Sequence, residues 1–180
     1  DTVLVIDTNP DRATDICCFE LPIQRAPYDK DPRTNYKWLG GCLGADGNIY
    51  CPACDTSAVL RIDCKTDECV TFGFAGTDKN KSQGVVLARD GCVYCIPASG
   101  RNVCRIATHP SISKGENPIQ LLGDLPSHKD KFQGGYKGID GCLYFIPENG
   151  NRVLKVTPPR QPPPVLVGGK LPDNDVKLEL

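Results

Sequence analysis

Three stretches of the chain repeat one pattern, and each begins at a lysine. They read KWLGGCLGADGNIYCPACDTSAVLRID from Lys37, KSQGVVLARDGCVYCIPASGRNVCRIA from Lys81 and KFQGGYKGIDGCLYFIPENGNRVLKVT from Lys131. The Asp-Gly pairs at Asp46, Asp90 and Asp140 occupy the same place in each stretch, 44 and 50 residues apart. A period of about 40–50 residues, filled with short apolar runs and turn residues, predicts an array of small β-sheets.

Each repeat predicts four short strands. In the second repeat they cover residues 84–87, 92–96, 103–107 and 119–122, and the Asp-Gly pair supplies the turn between the first two. No stretch has the i, i+3, i+4, i+7 spacing of an amphipathic helix. We therefore predict an all-β fold of tandem four-stranded blade repeats. The single domain divides into a leading half unit (1–36), three full units (37–80, 81–130 and 131–176) and the start of a further unit (177–180).

Partial units are expected at both ends. Residues 3–7 match residues 59–63 and predict a third strand, with residues 15–19 as the fourth. Residues 169–172 match residues 123–126, which aligns Lys177 with Lys131 and makes residues 176–180 the opening of another unit. The two ends either share a blade and so close a small ring, or they pair with another chain. A free sheet edge has unpaired N–H and C=O groups that readily bind another strand. The predicted assembly edges are Val3, Leu4, Val5, Val176, Leu178 and Leu180.

The order of glycine, Asp-Gly turn, Tyr-containing strand and then Val-Leu-x-Ile-Asp resembles a β-propeller blade repeat. The repeats are similar to those of kelch-like, NHL-like and gluconolactonase-like propellers. They lack the Gly-His and Trp-Asp pairs of WD40 repeats and most of the kelch signature. The resemblance covers nearly the whole chain and implies a small β-propeller or a propeller segment. A gluconolactonase-like propeller would in addition hold a metal in its central channel.

Composition and net charge limit the kinds of partner that the chain could bind. The chain has 180 residues, 39% of them hydrophobic and 24% charged, which is typical of a globular domain. A net charge of −1 gives no electrostatic basis for binding nucleic acid, and no apolar run is long enough for a membrane span. The chain lacks Met and begins with Asp1, which indicates a removed targeting segment or excision from a longer protein.

The 11 cysteines leave several interpretations open. Cys51 and Cys54, and likewise Cys92 and Cys95, have the CxxC spacing of a zinc or redox site. Cys51 and Cys95 align with Phe145, however, which favours packing over chemistry. Cys64 and Cys69 bracket a predicted turn and are the preferred disulfide pair. Cysteine richness and an Asn80-Lys81-Ser82 glycosylation pattern favour an extracellular or oxidising compartment, whereas thiols at core positions also suit a reducing one.

No catalytic residue, cofactor or metal ligand is predicted. The aligned aspartates could form a calcium ring, but Asp-Gly is the pair that a tight turn requires. No triad or phosphate-binding loop is apparent. We therefore predict a non-enzymatic binding or scaffolding module that assembles with itself or with a protein partner. The alternatives are a metal-binding, gluconolactonase-like hydrolase and a CxxC zinc or redox protein.

Overall fold

The computed structural model describes residues 1–7, 17–29, 35–108, 118–160 and 176–180. Every regular element in these ranges is a β-strand, as the alternating apolar runs predict. The strands form three sheets along the chain. The predicted all-β fold of small sheets is confirmed.

The first sheet has six strands and the others have four. Sheet 1 contains β1 (Thr2–Asp7), β2 (Cys17–Gln24), β3 (Cys42–Leu43), β4 (Ile49–Cys51), β5 (Ala58–Ile62) and β6 (Cys69–Phe74), in the order β1-β2-β6-β5-β4-β3. Sheet 2 contains β7 (Ser82–Leu87), β8 (Cys92–Pro97), β9 (Val103–Ala107) and β10 (Ile119–Leu122). Sheet 3 contains β11 (Phe132–Lys137), β12 (Leu143–Pro147), β13 (Leu154–Thr157) and β14 (Lys177–Glu179). Each repeat thus forms one four-stranded antiparallel meander, to which sheet 1 adds β1 and β2.

The Asp-Gly pairs form the first turn of each meander. Gly47, Gly91 and Gly141 have positive φ, which a glycine adopts without strain. In the second repeat the Asp90 carboxylate accepts a hydrogen bond from the backbone N–H of Cys92 at 3.1 Å and one from the Tyr94 hydroxyl at 2.8 Å. The carboxylates are therefore occupied within their own hairpins.

The sheets approach one another most closely at their first strands. The Gly84 N–H donates a hydrogen bond of 2.9 Å to the Leu39 carbonyl, and a Cβ added to Gly40 would lie 3.3 Å from the Gly84 Cα. The Lys131 N–H donates to the Ala98 carbonyl at 3.0 Å and ties sheet 3 to sheet 2 in the same way that Lys81 ties sheet 2 to sheet 1. Sheets that converge along one side in this manner are arranged as propeller blades.

At the N-terminal end, β1 and β2 overlap the strands expected at residues 3–7 and 15–19, whereas the C-terminal end differs from the expected partial unit. Residues Lys177–Glu179 form the outer strand of sheet 3, because Lys155, Val156 and Thr157 on β13 pair with them. They do not open a further unit. The sequence predicts the fourth strand of the third repeat at residues 165–167, which align with 119–122 and lie outside the described residues. At the other end, β1 and β2 form an antiparallel hairpin, and β2 joins β6 by the parallel pairs Ile23–Cys69 and Gln24–Val70. The division into units otherwise stays a prediction.

A tyrosine on the second strand of each meander lies opposite a cation on the third. The pairs are Tyr50 with Arg61, Tyr94 with Arg105 and Tyr144 with Lys155. In sheet 2 the Arg105 Nη2 lies 2.9 Å from the Asp90 Oδ2, and both side chains are fully buried. Burial, followed by the charge of Asp90, raises the pKa of Tyr94, so the phenol stays protonated and donates to the carboxylate.

We expect Arg105→Met to destabilise the fold strongly, because it leaves the buried Asp90 carboxylate without its counter-charge. Removing one partner of a buried ion pair costs about 3–5 kcal/mol. The matched variant Lys155→Met in sheet 3, where Lys155 and Asp140 are 3.9 Å apart and partly exposed, should leave the denaturation midpoint nearly unchanged. Urea unfolding followed by tryptophan fluorescence measures both. Equal losses in the two variants would contradict the assigned role of burial.

Candidate functional site

Each sheet has two different faces, which we call the Tyr face and the aliphatic face. The Tyr face carries the aligned tyrosine and a valine on the third strand; it contains Tyr50 and Val59 in sheet 1, Tyr94 and Val103 in sheet 2, and Tyr144 and Val153 in sheet 3. The opposite, aliphatic face contains Ile49, Cys51, Leu60 and Ile62 in sheet 1, Val93, Cys95, Cys104 and Ile106 in sheet 2, and Leu143, Phe145, Leu154 and Val156 in sheet 3.

The two junctions between the sheets bury opposite faces against each other. The Tyr face of sheet 1 packs on the aliphatic face of sheet 2, and the two form one hydrophobic cluster. The Tyr face of sheet 2 packs on the aliphatic face of sheet 3 in a second cluster. Both strands at the centre of sheet 2, β8 and β9, are consequently buried on both faces. One type of junction, Tyr face on aliphatic face, therefore builds the whole array.

The Tyr face of sheet 3 is uncovered. Val59 and Val103 are 0% exposed, whereas the aligned Val153 is 44% exposed. Ile96 is buried, whereas the aligned Ile146 is exposed. Tyr136 and Ile139 extend the same apolar surface to the edge of the sheet, and both are strongly exposed. Within the described part of the chain, no sheet packs on this face.

The aliphatic face of sheet 1 is also incompletely covered. Leu43 is 57% exposed, and Ile49, Cys51 and Ile62 are half-buried, although Leu60 is buried. The corresponding positions at the centre of sheet 2, such as Val93 and Ile106, are fully buried. No described residues place a second sheet against it. The chain thus presents both halves of its own junction, one on each outer sheet.

Hydrogen bonds fix the register of each junction. The residue before the turn aspartate in one sheet contacts the residue that follows the third strand of the next. The Ala45 N–H donates to the Thr108 Oγ1 at 3.0 Å, and the Arg89 Nε donates to the Pro158 carbonyl at 3.1 Å. By the same alignment, Ile139 on sheet 3 corresponds to Ala45 and Arg89, and Cys64 on sheet 1 corresponds to Thr108 and Pro158.

The predicted assembly edges lie elsewhere. Val3, Leu4 and Val5 are on β1, the outermost strand of sheet 1, where Leu4 is exposed and the other two are half-buried. Val176 and Leu178 are partly buried against the cluster between sheets 2 and 3, and Leu180 is exposed. Sequence reasoning missed the two open faces because it considered only strand edges. The aligned valines identify these faces only once their exposure is known.

The cysteines are free thiols wherever the structure describes their side chains. The predicted bridge between Cys64 and Cys69 is not supported, because Cys69 pairs across the hairpin with Ile62 and Cys64 lies two residues further on in the turn. Cys92 and Cys95 face opposite sides of β8, as expected for strand residues three apart. Burial raises the pKa of Cys51 to about 11 and that of Cys92 to about 12, so neither is a ready nucleophile.

No metal or membrane feature was found in the described ranges. No group of three or more His, Cys, Asp or Glu side chains there is placed to hold a metal ion. No helix among the described elements could span a membrane.

Asn80, the predicted glycosylation site, lies between two repeats. It has positive φ, like the aligned Tyr36 and Asp130. Its Nδ2 donates hydrogen bonds to Asp130 and, at 3.3 Å, to the Ser99 Oγ. A glycan would be attached at this nitrogen and would have to displace the two contacts. Modification at Asn80 stays a prediction.

Comparisons with known proteins establish the fold. No family model matches the chain, and no curated protein matches it. Among solved structures, a streptogramin B lyase matches with a TM-score of 0.59 and 14% identity, over 91% of this chain and 44% of that one. Virginiamycin B lyase from Staphylococcus aureus matches with a TM-score of 0.54 and 16% identity, over 81% of this chain and 42% of that one. The extracellular domain of a one-component system from B. thetaiotaomicron matches with a TM-score of 0.51 and 11% identity, over 78% and 19%.

The chain has a β-propeller-like repeat fold, and the predicted resemblance to propeller blades is confirmed. It spans less than half the length of the lyases that it matches. The prediction that the chain is not an enzyme is contradicted, because neighbours that share its fold are lyases. At 14% and 16% identity the likeness concerns the fold alone.

Proposed function

We propose that this chain is a propeller segment that binds a second copy of itself and so closes a ring. The Tyr face of sheet 3 in one copy packs on the aliphatic face of sheet 1 in the other. The observation that carries the proposal is the exposure of Val153, whose aligned residues Val59 and Val103 are both fully buried in this kind of junction. We infer that an aliphatic face covers the open Tyr face, because an aliphatic face covers the Tyr face in both junctions within the chain.

The number of sheets supports two copies. Propellers typically have 4–8 blades. The described residues of one chain form three sheets, and the same residues of two chains form six, which lies within that range. Head-to-tail contacts form a closed ring when the rotations between successive copies add up to a full turn. Two copies related by a two-fold axis meet this condition through two identical junctions. Ring closure would also bring the first strands of both copies around one channel, so assembly is compatible with an enzymatic role.

A charge on the open Tyr face should prevent this association. We expect the chain to sediment at twice its mass of 19.5 kDa. A Val153→Asp variant should be a monomer at the same concentration, because a carboxylate buried against apolar side chains costs several kcal/mol and raises the dissociation constant by at least about 100-fold. Analytical ultracentrifugation measures both.

The matched control is Leu121→Asp. Leu121 is 47% exposed, but it lies on the outer strand of sheet 2, away from both open faces. This variant should remain a dimer, and circular dichroism should show native strand content in both variants. A monomeric parent chain, or a Val153→Asp variant that still dimerises, would overturn the proposal.

A cross-link tests the register of the junction. In the proposed dimer Ile139 of one copy lies beside Cys64 of the other, as Ala45 lies beside Thr108. An Ile139→Cys variant should therefore form a reducible dimer under mild oxidation, visible on a non-reducing gel. Adding Cys64→Ser to the variant should abolish this band. A ladder of higher multiples would contradict a closed ring and indicate an open filament.

A further inference from the structure

The buried thiols of Cys95 and Cys104 form a pair that the CxxC spacing does not reveal. In the register of β8 and β9, Cys92 lies opposite Ala107 and Tyr94 lies opposite Arg105. The recorded pairs end at Tyr94 and Arg105, and continuing the register by one step would bring Cys95 on β8 opposite Cys104 on β9. Both residues are on the aliphatic face of sheet 2 and are buried in the cluster against sheet 1.

The backbone indicates how far apart the two residues are. The Ala107 N–H donates to the Pro118 carbonyl on the β10 side, so the N–H groups at alternate positions of β9, including that of Cys104, point towards β8. Continued by one step, the register would therefore give Cys95 and Cys104 positions of the hydrogen-bonded kind, at which opposite Cα atoms are about 5.5 Å apart. Disulfide-bonded residues have Cα separations of roughly 4.4–6.8 Å, most often about 5.5–6 Å.

The surroundings also suit a bond between the sulfurs. The neighbouring Cys104 thiol and, after it, burial hold the pKa of Cys95 well above its usual value. A cavity of about 60 Å³ borders both residues and leaves room for small side-chain rotations. The third nearby thiol, Cys42, is on sheet 1 across the junction and has no such register with either residue.

We propose that Cys95 and Cys104 are a disulfide site that closes when the chain folds in the presence of a low-molecular-weight disulfide such as oxidised glutathione. One thiolate attacks the small disulfide and releases a reduced thiol, and the second thiolate attacks the mixed disulfide and releases another. Two thiols of the chain are oxidised, one small disulfide is reduced, and the two thiol protons end on the released thiols. The bond forms while the strands assemble, because both thiols are buried once the chain has folded.

Trypsin offers a direct test, since Arg101 lies between the two cysteines. The chain is refolded in oxidised and reduced glutathione, its remaining thiols are blocked, and it is digested without reductant. We expect the peptide 90–101, which contains Cys95, to be linked to the peptide 102–105, which contains Cys104. The linked mass should be about 2 Da below the sum of the free peptides. Chain refolded in a strong reductant should give the two peptides separately.

Two variants make the result specific. Cys104→Val should abolish the linked peptide, and it should fold because the aligned positions are Leu60 and Leu154. Cys92→Val changes a buried thiol on the opposite face and should keep the linked peptide, still carried by Cys95. Absence of the 90–101 to 102–105 link from oxidised, folded chain would overturn the proposal, as would its loss in Cys92→Val.

Discussion

The described sheets carry mostly apolar side chains on both faces, and the rest of the structure depends on this property. A sheet with two apolar faces needs a neighbour on each side, since exposed apolar surface costs roughly 25 cal/mol per Å². Only sheet 2 has both neighbours among the described residues, and its strand β8 is buried at all positions. The corresponding strand of sheet 3, β12, alternates between buried and more exposed residues. How deeply a strand is buried therefore depends on where its sheet lies in the array, because the sequences of the repeats are closely similar.

The cation opposite the aligned tyrosine also differs with burial. It is Arg105 in sheet 2, where the ion pair is fully buried, and Lys155 in sheet 3, where the ion pair is partly exposed. An arginine can bind Asp90 with one amino group and Gln120 with the other, and Arg105 does so at 2.9 Å and 3.1 Å. Lys155 keeps a hydrated ammonium 3.9 Å from Asp140 and 5.8 Å from the Tyr144 ring. Covering sheet 3 would therefore desolvate a looser ion pair than the one in sheet 2.

The repeat alignment predicted strands and turns well because both depend on local residues. The glycines after Asp46, Asp90 and Asp140 adopt the positive φ that the turn requires, and strand order within each meander follows from short loops. The alignment misplaced residues 177–179, because it matched Lys177 to Lys131 by local sequence alone. The strand that these residues join is decided by the free edge of β13, with which they pair. The open faces could not be predicted from apolar pattern, because Val153 resembles Val59 and Val103 in every respect except its neighbours. The prediction that the chain is not an enzyme was wrong because the absence of a known motif carries no information about fold relatives.

Closure of the array into a ring depends on the angle between successive sheets. The close approach of Gly40 to Gly84 brings the first strands of sheets 1 and 2 together, and in a propeller each junction adds a rotation about a common axis. A ring of six sheets needs roughly 60° per junction, whereas an open array of the same junctions would leave one Tyr face and one aliphatic face exposed at its ends. The ring buries both faces of every sheet, and the filament does not. The same apolar faces that hold three sheets together therefore favour closure over continued growth.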